Sequence, residues 1–369
     1  MIRPMRHDHA GRLKRAAEES RAAGMDALIV TPSADLEYLV GYQAPPLERL
    51  TALVVRPAAE PVLVVPVLER PRAAASAAGG LIEFQAWSDG QDPFDVVGGI
   101  VGGGGTYGLT DTMWAMHVLA LRDALPGSTF VLASPVMSKL RIRKDPGEID
   151  LLAKAGHSAD ESFARIIQER LEGRTEQDVS RALARYLVET GHDVADFGIV
   201  GSGPNGASPH HEAGPRVIQP GETVVLDFGG RAAGYFSDLT RTVSVGEPSG
   251  EAKEVHEIVR EAQEAAFRAA GPGVPAQEVD RAARAVITEA GYGDAFIHRT
   301  GHGIGLEVHE LPYIVEGNAQ PLEPGMCFSI EPGIYLGGRF GVRIEDQVAV
   351  TADGAIRLNN APRDLAVVG

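Results

Sequence analysis

Cysteine is almost missing from this chain. Its 369 residues contain one, Cys327, so no intrachain disulfide can form, and a reducing, cytoplasmic setting is expected. Positive charge is also scarce: 34 Lys and Arg stand against 50 Asp and Glu, a formal net charge of −16. That balance argues against nucleic acid or an anionic membrane as a partner. Long apolar runs are lacking as well. The most apolar stretch, TALVVRPAAEPVLVVPVL, is cut by Arg56, Glu60 and three prolines, so no membrane span is expected. The first twenty residues have no apolar core of the kind a signal peptide needs. GGGG at 102–105 lacks the spacing of a dinucleotide loop and reads as a flexible connection. No short-period tandem repeat stands out.

What is present is a globular composition, 44% hydrophobic and 23% charged, with length for two cores. A helix is expected over 8–23, a buried strand at MDALIVTP, and a short helix or turn at ADLEYLVGY. TALVVRP and EPVLVVPV read as a hairpin turning at AAE, and further strands and helices follow up to STFVLAS. Strands alternating with helices indicate an α/β domain over 1–140. DPGE, residues 145–148, is a helix start, with proline near the first helical position. From it a helix is expected to about 171, and a second begins at TEQDVSRALARYLVETG. Beyond lie expected strands at 196–201, 223–229 and 235–245, helices at 250–270 and 276–290, and strands around 304–314, 326–336 and 341–350. Residues 141–369 therefore read as an α+β domain.

The chemistry concentrates in that second domain. TVVLDFGG and GYFSDLTRTVSV place Asp227 and Asp238 in apolar strands. As hairpin partners they would share one sheet face, with Thr240 on the face of Asp238. Either aspartate alone reads more readily as an ordinary strand-edge or turn residue, and it is the pair that points to a site. GMCFSIEPGIY adds Glu331 and FGVRIEDQVAV adds Glu345. Arg343 lies on the face of Glu345, so a buried Arg343–Glu345 ion pair is one reading of that strand. Four carboxylates in four apolar strands cannot all stay ionised together without compensating charge. Two divalent cations would supply it, and oxygen donors with one imidazole suit Mn, Co, Fe or Zn.

The imidazole lies in TGHGIGLEVHE, residues 300–310. His302 and His309 stand seven apart, whereas a zincin helix needs two histidines four apart. Gly301, Gly303 and Gly305 disfavour any helix there. The segment reads as extended chain in which His302 approaches the metals. His309, on the strand-like alternation LEVHE, is placed for the reactant. Cys327 reads as a small packing residue rather than a nucleophile.

The order Asp227, Asp238, His302, Glu331, Glu345 resembles the pita-bread metallopeptidases, and among them the Xaa-Pro peptidases, prolidase and aminopeptidase P. The resemblance spans most of 140–360, and the N-terminal half is similar to the creatinase-like domain of the same proteins. It implies an α/β creatinase-like domain (1–140) followed by an α+β pita-bread catalytic domain (141–369). It also implies two divalent ions, Mn or Co first, Zn or Fe otherwise. Asp227 would bind one ion, Asp238 and Glu345 both, and His302 and Glu331 the other. SGPNGASPHHEAG resembles the segment with a further active-site histidine, which maps to His210, with His211 directly after it. His298 and Arg343 match substrate-side positions, alongside His309. The implied reaction is hydrolysis of the Xaa-Pro bond of a short proline-containing peptide by a metal-bridging hydroxide. His210, His309 and Glu331 would assist, in a homodimer. Two other readings stay open: a C–N hydrolase of this fold acting on a small non-peptide amide, and a non-catalytic peptide-binding module.

Overall fold

The computed structural model describes residues 7–369. The chain divides into two compact units, 1–141 and 142–369.

The first unit runs α1 (His9–Ala22), β1 (Ala27–Val30), α2 (Ala34–Val40), β2 (Ala52–Arg56), β3 (Ala59–Pro66), α3 (Arg70–Ala75) and β4 (Glu83–Trp87). It continues with α4 (Pro93–Val101), β5 (Thr106–Leu109), α5 (Ala115–Ala124), β6 (Thr129–Leu132) and α6 (Ser134–Arg141). Its six strands form one sheet in the order β4-β3-β2-β1-β5-β6. The β1–β2 and β2–β3 pairs are antiparallel and the remaining pairs parallel. All four residues of β1 are buried, which is why it reads as an unbroken apolar run rather than an alternation. Arg56 pairs with Ala59, so the β2–β3 turn is Pro57–Ala58 and not AAE. Proline fixes the first turn position, and the strand resumes one residue earlier than expected.

The second unit opens with α7 (Pro146–Ile166) and α8 (Glu176–Thr190). Asp145 and Glu148 cap α7 reciprocally, as Thr175 and Asp178 cap α8. The first of these helices ends at Ile166, not near 171. Then come β7 (Val194–Ser202), β8 (Thr223–Ala232), β9 (Tyr235–Val245), α9 (Gly250–Ala269) and α10 (Ala276–Glu289). They are followed by β10 (Gly301–Gly303), β11 (Glu310–Ile314), β12 (Cys327–Ile330), β13 (Gly333–Leu336), β14 (Phe340–Arg343), β15 (Asp346–Thr351), β16 (Gly354–Arg357) and β17 (Ala366–Val368). The expected strands 326–336 and 341–350 are each broken in two, at Glu331–Pro332 and at Ile344–Glu345. Pro332 has no N–H to give a ladder, and Glu345 instead bridges to Thr240 of β9.

The unit repeats itself at a distance too long to stand out in the sequence. Gly173 and Gly273 both take a positive φ, 78° and 82°. Their N–H groups donate to Ile218 and Leu322 carbonyls respectively, and the isolated bridges Thr175–Val217 and Pro275–Pro321 follow each glycine by two residues. Each half is a helix pair packed on a sheet, one being β17-β9-β8-β7, antiparallel but for the parallel β17–β9 pair, and the other the antiparallel β11-β10-β12-β15-β16. One core holds Phe163, Leu183, Leu226 and Phe228; the other holds Val259, Ile287, Phe328 and Ile330. Each such side chain contributes about 1.5–3 kcal/mol on burial. Where the sheets meet, Glu345 N–H donates to Thr240 O at 3.0 Å. The acids of the site gather at this junction.

Candidate active site

In the β8–β9 hairpin Asp227 lies opposite Thr240, and Gly229 opposite Asp238. The two aspartates therefore share a face, offset diagonally. Both are buried. Asp227 Oδ2 accepts a 2.5 Å hydrogen bond from Arg343 Nη2, while its Oδ1 is buried without a partner. Glu345 repeats that pattern: Oε2 accepts from Thr240 Oγ1 at 2.7 Å, and Oε1 is buried and unpartnered. Thr240 thus serves Glu345, across the sheet junction, rather than its strand neighbour Asp238. The Arg343–Glu345 ion pair is not formed; Arg343 reaches back over the hairpin to Asp227.

His302 sits on β10 between two glycines that permit close strand approach. A Cβ at Gly301 would lie 1.9 Å from Ser329 O, and one at Gly303 2.2 Å from Leu311 O. Its Nδ1 lies 3.1 Å from Gly303 O. A carbonyl only accepts, so Nδ1 carries the proton and Nε2 presents a lone pair. That lone pair lies 3.3 Å from Glu331 Oε1 and 3.6 Å from Asp238 Oδ2. Ligand atoms of Asp238, His302 and Glu345 fall within 4.8 Å of one another.

The electrostatics of this cluster are those of a cation site. Burial, then repulsion from Glu345, Asp227 and Glu331, holds the Asp238 carboxyl well above its usual range. Burial, then Glu331 and Asp227, does the same to Glu345. Burial pushes Glu331 up to about 7. Burial, with help from His309, lowers His302 to about 3, keeping it neutral as a ligand must be. Hard oxygen donors, one neutral imidazole and two open carboxylate oxygens fit a pair of divalent cations.

A cavity of about 770 Å³ opens onto these acids. His210, His298, Arg299 and His309 line it together with apolar Phe197, Ile199, Ile297 and Val308. His211 turns away and bonds Glu176 Oε2 at 2.8 Å. His309 is not on a strand. The expected strand 304–314 is strand only from Glu310; residues 305–309 bend outward, because Gly303 pairs with Glu310 and the chain between them loops out. The His309 ring meets His302 edge-on, centroids 4.1 Å apart. Cys327 is fully buried, its thiol pushed up to about 12 by burial, as suits a packing residue.

Tyr335 escaped the sequence reading. Its hydroxyl accepts from Arg343 Nη1 at 2.8 Å and lies 2.8 Å from His298 Nε2. His298 Nδ1 donates to Arg299 O, so Nε2 accepts the tyrosine proton. Arg343, Tyr335 and His298 thus form one chain of hydrogen bonds along the cavity. GIYLGGRFGVR carried the signal: a three-residue Gly-Gly-Arg hairpin loop sets Gly333 opposite Arg343 and Tyr335 diagonal to it.

Both units have counterparts among known proteins. Residues 150–352 match metallopeptidase family M24, and residues 12–143 match the creatinase/prolidase N-terminal domain. A probable dipeptidase PepE of Mycobacterium tuberculosis is 49% identical over 363 residues, 98% of this chain and 96% of that protein. An Xaa-Pro dipeptidase of Lactobacillus helveticus is 39% identical over 356 residues, 93% of this chain and 95% of that protein. A recombinant prolidase of Thermococcus sibiricus superimposes with a TM-score of 0.93 at 40% identity, covering 98% of this chain and 99% of that one. With four acids and a histidine gathered at one cavity and matches running through both units, the chain belongs to metallopeptidase family M24 and carries the creatinase/prolidase N-terminal domain.

Proposed function

We propose that the protein hydrolyses the Xaa-Pro bond of dipeptides or short peptides. The observation that carries this reading is the pair of open, buried carboxylate oxygens on Asp227 and Glu345, beside the His302 lone pair, facing one cavity. Asp227, Asp238, His302, Glu331 and Glu345 would hold two divalent ions, Mn or Co, with Asp238 and Glu345 shared between them. When bound, such ions supply the positive charge that acidifies water and polarises a scissile carbonyl.

The remaining work falls to side chains. Glu331 would take the proton given up by the water that attacks the scissile carbonyl and pass it to the leaving nitrogen as the C–N bond breaks. His210 and His309 would donate to the oxygen that gains charge as the carbonyl becomes tetrahedral. Arg343 holds Asp227 on one side and, through Tyr335, His298 on the other, so it orients ligand and substrate wall together. Arg299 adds positive charge: after burial, which dominates, its field helps lower His302 and His309. That suits a substrate carboxylate. Proline's imide nitrogen has no N–H, so the wall facing it needs no acceptor. A cytoplasmic homodimer completes the proposal.

The test is an assay with added Mn or Co on Xaa-Pro dipeptides, Xaa-Pro tripeptides and small non-peptide amides. Release of the N-terminal residue from a proline peptide is expected. Turnover of a non-peptide amide alone would instead point to another C–N hydrolase, and metal binding without turnover of any substrate to a binding module.

A further inference from the structure

His309 makes few side-chain contacts that would fix its position. The side chain lies at an exposed position of the 304–309 loop. It has no hydrogen-bond partner among the described residues, only burial and nearby charges acting on it. Its ring touches His302 edge-on. A loop of this kind would let the imidazole wander, yet a donor to a reacting oxygen must be placed within a fraction of an ångström.

The loop is gripped from behind at both ends. Near its start, Gly305 O accepts from Phe236 N–H at 2.9 Å. At its end, directly after His309, Glu310 Oε1 lies 2.6 Å from Lys144 Nζ. The Lys144 side chain is 1% exposed and that of Glu310 9%. The pair is pressed against the loop: a Cβ at Gly305 would lie 2.2 Å from Glu310 Oε1 and 3.1 Å from Lys144 Cε. Lys144 is fixed in turn, its N–H donating to Gly325 O at 2.7 Å, just ahead of β12. A buried ion pair is a poor source of stability, because desolvation offsets most of its attraction. Here it has a geometric consequence: it fixes the residue next to His309 relative to the strand that leads to Glu331.

We propose that the buried Lys144–Glu310 ion pair positions His309 for catalysis. Lys144 and Glu310 are positioning residues and touch no substrate. The proposal rests on the peptidase reading for its kinetic arm but not for its structural one. The experiment compares Lys144→Met, Lys144→Arg and the paired Lys144→Met/Glu310→Leu in manganese-loaded enzyme, each also combined with His309→Ala. Turnover of an Xaa-Pro dipeptide, bound manganese and the crystallographic position of the His309 ring are measured. Lys144→Met should lower kcat roughly ten- to hundredfold, as a misplacement of about 1 Å does. Bound manganese should match wild type and KM should change little. Lys144→Arg should recover most of the loss. With His309→Ala present, Lys144→Met should cause no further fall. If Lys144→Met does not fold, the paired variant, which removes both charges together, carries the same comparison. Equal losses with and without His309 would overturn the proposal, as would wild-type kcat in folded Lys144→Met or an unmoved His309 ring. A wild type inactive on every Xaa-Pro peptide overturns the peptidase reading instead, and the ring position still decides the positioning claim.

Discussion

Glu331→Gln in the metal-free protein should remove a specific part of its pH-dependent stability. Burial pushes the Glu331 carboxyl from 4.5 up to about 7. The folded state therefore binds this proton more tightly than the unfolded chain does. A raised carboxyl contributes stability that is fully present below the unfolded value of 4.5 and is lost as pH rises through about 7. The whole shift corresponds to about 3 kcal/mol at 1.36 kcal/mol per unit, and most of it falls between about pH 5 and pH 8. Glutamine keeps the shape and the hydrogen-bonding capacity but cannot titrate. Buried neutral histidines such as His256, held near 4 by burial, add a trend of opposite sign, so the quantity to read is the difference between the two proteins. Urea unfolding of chelator-stripped wild type and Glu331→Gln, at steps from pH 5 to pH 8, gives it. Wild type should lose about 2–3 kcal/mol relative to the variant over that range. A difference that stays constant with pH would refute the burial of an uncompensated carboxyl at this position. With manganese present, wild type should gain stability as pH rises instead, because the ions compete with protons for the same oxygens.

His302→Ala should weaken one of two metal positions, whereas His309→Ala should keep both ions and lose most turnover; metal analysis beside kinetics separates them, and an emptied site in His309→Ala would contradict the division. Tyr335→Phe leaves Arg343 Nη1 and His298 Nε2 without their shared partner, so it should cost about 1–3 kcal/mol and lower kcat; unchanged melts and kinetics would remove Tyr335 from the cavity wall's support. Asp346 is fully buried and accepts from Arg241, Arg363 and Gln263 at 2.6, 2.9 and 3.1 Å. Asp346→Asn should therefore lower stability by about 3–5 kcal/mol, read as a thermal shift with metal stoichiometry preserved.

The convergence of the four acids was legible because it is written locally. Asp227 and Asp238 each break an apolar strand, and the short Ala233–Gly234 turn between those strands leaves a hairpin as the simplest pairing. Glu331 and Glu345 likewise interrupt apolar runs, where a carboxylate is costly to bury alone. What stayed hidden depends on register and long-range closure. The Arg343 partner could not be chosen without knowing that β14 crosses the β8–β9 hairpin. Thr240 could not be given to Glu345 before the two sheets were joined. His309 looked like a strand residue because LEVHE alternates; only the pairing of Gly303 with Glu310 expels it into a loop. His210 and His211 are adjacent in sequence, and what distinguishes them is Glu176, which takes His211 as a partner.

Calorimetric titration of chelator-stripped protein with manganese, alongside Asp238→Asn, tests the convergence of the five donors most directly. Wild type should take up two ions per chain, with turnover of an Xaa-Pro dipeptide appearing as the sites fill. Asp238→Asn should bind at least one ion much more weakly, since it alters a shared ligand. Saturation at fewer than two ions, or dipeptide turnover in protein verified to be metal-free, would contradict a two-metal peptidase at this site.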